Sequence, residues 1–432
     1  AAAAVALVTI PRLFAHAHFA TCDGTLTAAW LITWAIASGW FSQEKPTHRT
    51  GCWREIGTAA ALALPLGMTL AAKATGWLAP VPLVLCFFLR PSWRLLWMLS
   101  SAAALTLVVF VLLNPSIWGN PMGGLAEFIT LNSTRAENAT SQLNITTCFL
   151  GRFYNLGGEL GTGTPLPWWN AFFWTMITVP VLWFFAALLG IFTSMRSREG
   201  WLLLFSWVVL LVVRAFPGVP SHDGVRLFLP SIAFVAILAG IGAETFRKIL
   251  GNAVNFLLGK SSRRSALLVN ACVVILVLAN FAPLYAYRHC PLSYYNGMIG
   301  GLPGATRVGM EPTYFWDACG EEVLTWLREN TEPDERILFA GAIPHNNRLR
   351  RSWGELPSHN EDSQPKWYVV QNRTAFLRPW EYKLFAMQQP AYVLSHRGVW
   401  LIAVYEVPSR ETTPRSASAL SPQLSRSGHA AL

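Results

Sequence analysis

Four chemically capable side chains, Arg12, His16, His18 and Asp23, interrupt an apolar run near the start of this chain. Residues 11–24 read PRLFAHAHFATCDG, between AAAAVALVTI and TLTAAWLITWAIA. If the stretch is one helix, Arg12, His16, Phe19 and Asp23 follow the i, i+4, i+7, i+11 rule and share a face. Arginine offers a phosphate a planar, bidentate fork. A carboxylate beside it can bind a sugar hydroxyl, hold a metal or move a proton. The plainer reading is an amphipathic link whose charges reach headgroups or water. His16, His18 and Asp23 are also metal-ligand types, so a divalent metal stays open as a cofactor. Histidines at i and i+2 do not share a helix face, however, which counts against zinc.

Two further clusters stand out. Lys73 interrupts LGMTLAAKATGW, and SHDGVR at 221–226 brings His222, Asp223 and Arg226 to the mouth of the next apolar run. Each has an ordinary structural role available. Lys73 can snorkel, Arg226 can pair with Asp223 at a helix start, and His16 can be a satisfied interfacial histidine. Ionisable residues near membrane spans are nonetheless functional suspects by default. Trp118, Trp168, Trp169, Tyr294, Tyr295 and Trp316 suit the apolar faces of sugars.

The elements that must carry these residues are membrane spans. The chain has 432 residues, 53% hydrophobic and 13% charged, against about 25% charged in soluble domains. Complete spans are predicted near 24–42, 56–72, 75–89, 95–113, 171–193, 201–217, 226–245 and 265–287, after a partial one at the start. Residues 56–89 could instead form one long tilted helix. The net charge of +10 lies mostly in short loops, so the positive-inside effect explains it and nucleic acid is not an expected partner. Lys45, Arg49, Arg54, Arg90, Arg94, Arg196, Arg198, Arg247, Lys248, Lys260, Arg263 and Arg264 all fall on one side, which is then cytoplasmic. Residues 11–23, Lys73, the loop 114–170, the loop 214–225 and everything after 288 fall on the other. All three polar clusters therefore share the extracytoplasmic face, which favours one cavity over three separate accidents.

The loop 114–170 reads as polar and carries NST, NAT and NIT at 132–134, 138–140 and 144–146, a cheap pattern. After residue 288 the composition shifts. A helix is predicted over 319–330 and another over 377–389, with strands at 336–341, 366–371, 391–396 and 399–407. The fold class is thus mainly α: a polytopic membrane helical bundle over 1–288, a small extracytoplasmic α/β domain over 289–407, and a disordered tail over 408–432. Seven cysteines show no CxxC pair, although Cys290 and Cys319 could bridge on an oxidising face. The chain starts on Ala and its first ten residues read as the second half of a span, so it is expected to be part of a longer protein.

PRLFAHAHFATCDGTLTAAW, LGMTLAAKATGW, SHDGVRLFLPSIAFVAILAGIGA and PLSYYNGMIGGLPGATRVGMEPTYFW together resemble glycosyltransferase family 39. This is the group of dolichyl-phosphate-mannose protein mannosyltransferases and bacterial lipid A aminoarabinose transferases. The resemblance runs from residue 1 to about 405. It implies a GT-C fold, a polyprenyl-phosphate sugar donor and inverting hexosyl or pentosyl transfer to a hydroxyl of a protein, lipid or glycan. It implies an extracytoplasmic active face in a membrane, here a bacterial inner membrane. In the family the proposed general base is an acidic residue in an outer loop upstream of the segment matching residues 1–10. Asp23 matches the second acidic position and would help position the acceptor or a metal. Lys73 and Arg226 match basic positions that hold the donor phosphate, with His222 and Asp223 beside them and Arg12 and His16 in support. Two other readings stay open: a transporter or flippase for a lipid-linked sugar, and a non-catalytic membrane protein that binds sugar.

Overall fold

The computed structural model describes residues 1–19, 21–42, 52–133, 146–154, 164–217, 219, 224–258, 263–332, 335–340, 350–357 and 365–407. His222, Asp223, the NAT sequon and the tail from Pro408 lie outside these residues. The described chain is mainly helical and divides into two units, Ala1–Asp317 and Ala318–Leu432.

The first unit is a helical bundle. Its opening helices are α1 (Ala2–Thr9), α2 (Pro11–His18), α3 (Cys22–Ser42), α4 (Cys52–Ala72), α5 (Pro80–Leu89) and α6 (Trp93–Leu112). Among the described residues, four stretches are long and apolar enough to cross a membrane: Glu55–Ala72, Trp93–Leu112, Gly224–Leu257 and Arg263–Ala286. These coincide with four of the predicted spans. The other four are helical as well: 24–42 lies in one unbroken helix, Cys22–Ser42, and the remaining three are shorter or broken. The predicted span 171–193 splits into Asn170–Thr178 and Val181–Ser194, because Pro180 cannot donate to the helix ladder and forces Val179 into an extended conformation. The Asn296 side-chain amide donates to the carbonyls of Met176 and Val179 (2.6 and 2.7 Å), satisfying acceptors that the break releases. A single helix over 56–89 does not form. Lys73 is extended (φ −165°, ψ 151°) and a 3₁₀ turn, Ala74–Leu78, separates α4 from α5.

Helix Val181–Ser194 packs along helix Leu229–Leu258, which also receives α1. Small residues allow this close approach: a Cβ on Gly242 would meet the Ala186 carbonyl oxygen at 1.7 Å.

The loop 114–170 holds more structure than its polar composition predicts. It contains a helix, Pro121–Ser133, and a hairpin of β1 (Thr147–Phe149) and β2 (Arg152–Tyr154). Tertiary contacts pin the hairpin: Gly151 N donates to the Gly309 carbonyl (3.0 Å), as does the Cys148 thiol (3.2 Å). Three-residue strands carry too little alternation to be seen in sequence. Residues 289–317, predicted with the outer domain, belong to the bundle unit. Their polar and aromatic side chains find their partners there, Asn296 among them.

The second unit is a four-stranded sheet of order β3-β4-β6-β5, from β3 (Arg336–Phe339), β4 (Pro365–Gln371), β5 (Tyr392–His396) and β6 (Val399–Glu406). β3 and β4 run parallel; β4–β6 and β5–β6 are antiparallel. Alternate residues of β4 serve opposite faces. Tyr368 and Val370 pack with Leu384 and Phe385 of helix Pro379–Met387, while Trp367 meets Trp326 of helix Glu321–Glu329 at 5.0 Å. Cys290 and Cys319 are both buried, free thiols, so the bridge does not form. Burial pushes their pKa values up to about 12 and about 11.

Candidate functional site

Asp23 is the hub of the site. It opens α3, and its side chain is 1% exposed. Lys73 Nζ lies 2.7 Å from Oδ1, and Arg226 Nε lies 2.7 Å from Oδ2. The three residues come from places 50 and 203 positions apart in the chain. Two cations against one carboxylate give these three residues together a net positive charge. Lys73 and Arg226 are 17% and 24% exposed, so the buried carboxylate anchors two cations that a ligand can still reach.

Backbone geometry delivers both cations. Lys73 precedes the 74–78 turn, which folds tightly against α4: a Cβ on Gly76 would sit 1.9 Å from the Thr69 carbonyl oxygen. Arg226 lies in a 3₁₀ turn, Gly224–Phe228, entered through a left-handed Gly224 (φ 54°) that rests against the Trp174 ring. A side chain at Gly224 would be strained by that φ.

The predicted stripe of Arg12, His16, Phe19 and Asp23 on one helix does not form. Pro11 starts α2 afresh after an extended Ile10, and α2 ends at an extended Phe19 before α3 begins. Arg12 points elsewhere. Its side chain is 2% exposed, its Nε donates to the Tyr294 carbonyl (3.0 Å), and its guanidinium lies among the rings of Trp174, Tyr295 and Tyr314 at 4.5–5.1 Å. Arg12 therefore ties α2 to residues 294–314 and, through Trp174, to the turn that carries Arg226. His16 is buried too, with its ring edge-on to Phe315 (5.8 Å). His18 is exposed and bonds the Phe14 carbonyl, away from His16. Among the sugar-face candidates, Tyr294 and Tyr295 are buried around Arg12, Trp118 and Trp168 are exposed, and Trp169 packs on Phe149 and Phe173.

Phe315 is the site residue that the sequence hides. It and Trp316 both have left-handed backbones (φ 55° and 61°). That region strains a bulky residue by roughly 1–3 kcal/mol. The Phe315 ring lies 4.6 Å from the Arg226 guanidinium and 6.2 Å from Phe19. Neither Phe315 nor Trp174 carries a spacing signal, because both reach the site through tertiary packing. Gly224 had a weak one, in its Asp-Gly pair.

A metal does not fit this cluster. Among the described residues, no group of three or more His, Cys, Asp or Glu side chains is placed to hold an ion. Each Asp23 oxygen already faces a cation, which would repel a second one.

Fold and site together describe a polytopic helical membrane protein with a buried carboxylate fixing two cations at a helix end. No protein-family model matches the sequence, and no curated protein matches it. Solved structures similar to it include two of ArnT from Cupriavidus metallidurans. The form bound to undecaprenyl phosphate is 14% identical, with a TM-score of 0.41 over 93% of this chain and 78% of that one. The apo form is 14% identical, with a TM-score of 0.43 over 93% and 77%. Likenesses this distant leave the site to be read from its own geometry.

Proposed function

We propose that this protein is a membrane glycosyltransferase that moves a sugar from a polyprenyl-phosphate donor to a hydroxyl acceptor, with inversion, at the extracytoplasmic face. One observation carries the reading: a partly open Lys73–Arg226 pair, net positive and fixed by a buried Asp23, at the end of apolar helices. A polyprenyl phosphate needs an apolar path for its tail and cations for its head. The phosphate leaves as an anion, so positive charge aimed at it lowers the barrier. A fixed guanidinium and ammonium supply that charge without reorganising.

In this reading Lys73 and Arg226 hold the donor phosphate. Asp23 is their counter-ion and aligns both, which replaces the acceptor- or metal-positioning role expected from the resemblance. His222 and Asp223, just before the Arg226 turn, are secondary candidates. Arg12 and His16 support the wall behind Arg226. The acceptor class, whether protein, lipid or glycan, is left to assay.

The test is transfer from labelled polyprenyl-phosphate sugars by the purified protein in liposomes. Lys73→Ala and Arg226→Ala are each expected to lower the rate about 100-fold or more, the loss typical of one charge-stabilising group. Unchanged transfer in both variants refutes the site. Passage of the labelled lipid across the bilayer without transfer would replace the enzyme with a transporter.

A further inference from the structure

Two adjacent bulky residues in the left-handed region need something to hold them there. Both neighbours are anchored. Tyr314 is 2% exposed, packs edge-on to Trp174 at 6.0 Å and lies 5.1 Å from the Arg12 guanidinium. On the other side, an Asp317 carboxylate oxygen accepts from Leu292 N (2.8 Å). The turn between these anchors drives the Phe315 ring into a gap lined by His16, Phe19 and Arg226.

A ring over a guanidinium face leaves only the edge of that group for hydrogen bonding. At Arg226 the Nε edge is already directed at Asp23. A carboxylate at one edge and a ring on one face fix both the rotation and the plane of the guanidinium. A phosphate is held bidentately only in that plane.

We propose that Phe315 is a positioning residue for Arg226, and that the strained Phe315–Trp316 turn sets the guanidinium plane in which a polyprenyl phosphate binds. The proposal rests on the reading of Lys73 and Arg226 as a phosphate site and adds a residue 89 positions beyond Arg226 in the chain.

The experiment is equilibrium binding of a polyprenyl phosphate to the full chain in lipid nanodiscs. Phe315→Leu is expected to weaken binding about tenfold, in the range of a desolvated cation–π contact, and Phe315→Tyr to restore it to within about threefold. In an Arg226→Ala background, Phe315→Leu is expected to cost nothing further, because the ring acts only through that guanidinium. Phe315→Gly and Phe315→Ala guard against a folding artefact. Glycine suits the left-handed backbone, so Phe315→Gly should melt higher than Phe315→Ala while both bind equally weakly. If Arg226→Ala weakens binding and Phe315→Leu does not, Phe315 has no positioning role and the phosphate site stands. An equal loss from Phe315→Leu with and without Arg226 also overturns the proposal. If Arg226→Ala binds like the unaltered protein, the phosphate reading fails and takes this inference with it.

Discussion

Asp23 shows how one buried carboxylate organises charges from distant parts of a chain. The outward sign was in the sequence: Asp23, Lys73 and Arg226 are ionisable residues beside apolar runs, where they are costly unless paired. Which of them meet was not. The helical spacing of Arg12 and Asp23 pointed to one shared face, and the extended Phe19 that ends α2 separates them. Asp23→Asn keeps the shape of the side chain but removes its charge and leaves Lys73 and Arg226 facing each other. Removing one partner from a fully buried pair costs about 3–5 kcal/mol, and partial exposure of both cations lowers that here. Thermal melting should therefore show a clear loss of stability, smaller than for a fully enclosed pair, together with loss of transfer. A melting point equal to that of the unaltered protein would remove Asp23 from its central role. Gly76→Ala is a sharper probe because it touches no charge. Its Cβ would fall 1.9 Å from the Thr69 carbonyl oxygen, so the turn must shift and carry Lys73 with it. Its rate should approach that of Lys73→Ala, with Lys73 still present.

Among the elements, the spans were visible in the sequence as apolar runs of membrane length, and the helices and all four strands of the second unit by the patterning that burial imposes on them. The elements that were hidden depend on distant partners: the β1–β2 hairpin on Gly309, the break at Pro180 on Asn296. The second unit also holds a buried polar link. Glu381, 1% exposed, accepts from the Tyr368 hydroxyl and from Arg378 N, so one carboxylate joins strand β4 to the start of helix Pro379–Met387. Burial, then the bond to Glu381, raises the Tyr368 pKa. A phenol that ionises later folded than unfolded favours the folded state fully below its unfolded value, about 10, and progressively less as pH rises past it. Lys366 acts in the same direction, its pKa raised first by its bond to Glu406 and then by Glu335. Melting of the full chain followed from pH 8 to 11 should thus show falling stability above about pH 10. Tyr368→Phe should start lower, because Glu381 loses a donor in a buried site, and then fall less steeply. An alkaline slope unchanged by this substitution would show that the phenol does not contribute.

For the whole molecule, the decisive question is which side of the membrane holds Asp23. The proposed function requires the extracytoplasmic side, the side expected from sequence because the Arg- and Lys-rich turns fall on the opposite one. A cysteine already present can test this. Cys22 is exposed and adjoins Asp23 at the start of α3. The competing thiols are poorly placed to react. Cys148, Cys290 and Cys319 are buried, with pKa values pushed up to about 11, 12 and 11, so little thiolate exists at neutral pH. Cys86 is buried in α5, and Cys272 is exposed on the apolar helix Arg263–Ala279, where, with that helix read as a membrane span, it faces lipid that a charged reagent does not enter. Cys52 falls on the side assigned to the cytoplasm. A membrane-impermeant maleimide added to intact cells should therefore label the protein once, and Cys22→Ser should abolish the signal. Labelling that appears only after the membrane is permeabilised would put Asp23, Lys73 and Arg226 on the cytoplasmic side. The donor would then have to be met there, and the extracytoplasmic transferase reading would be lost even if the charge cluster proved to bind phosphate.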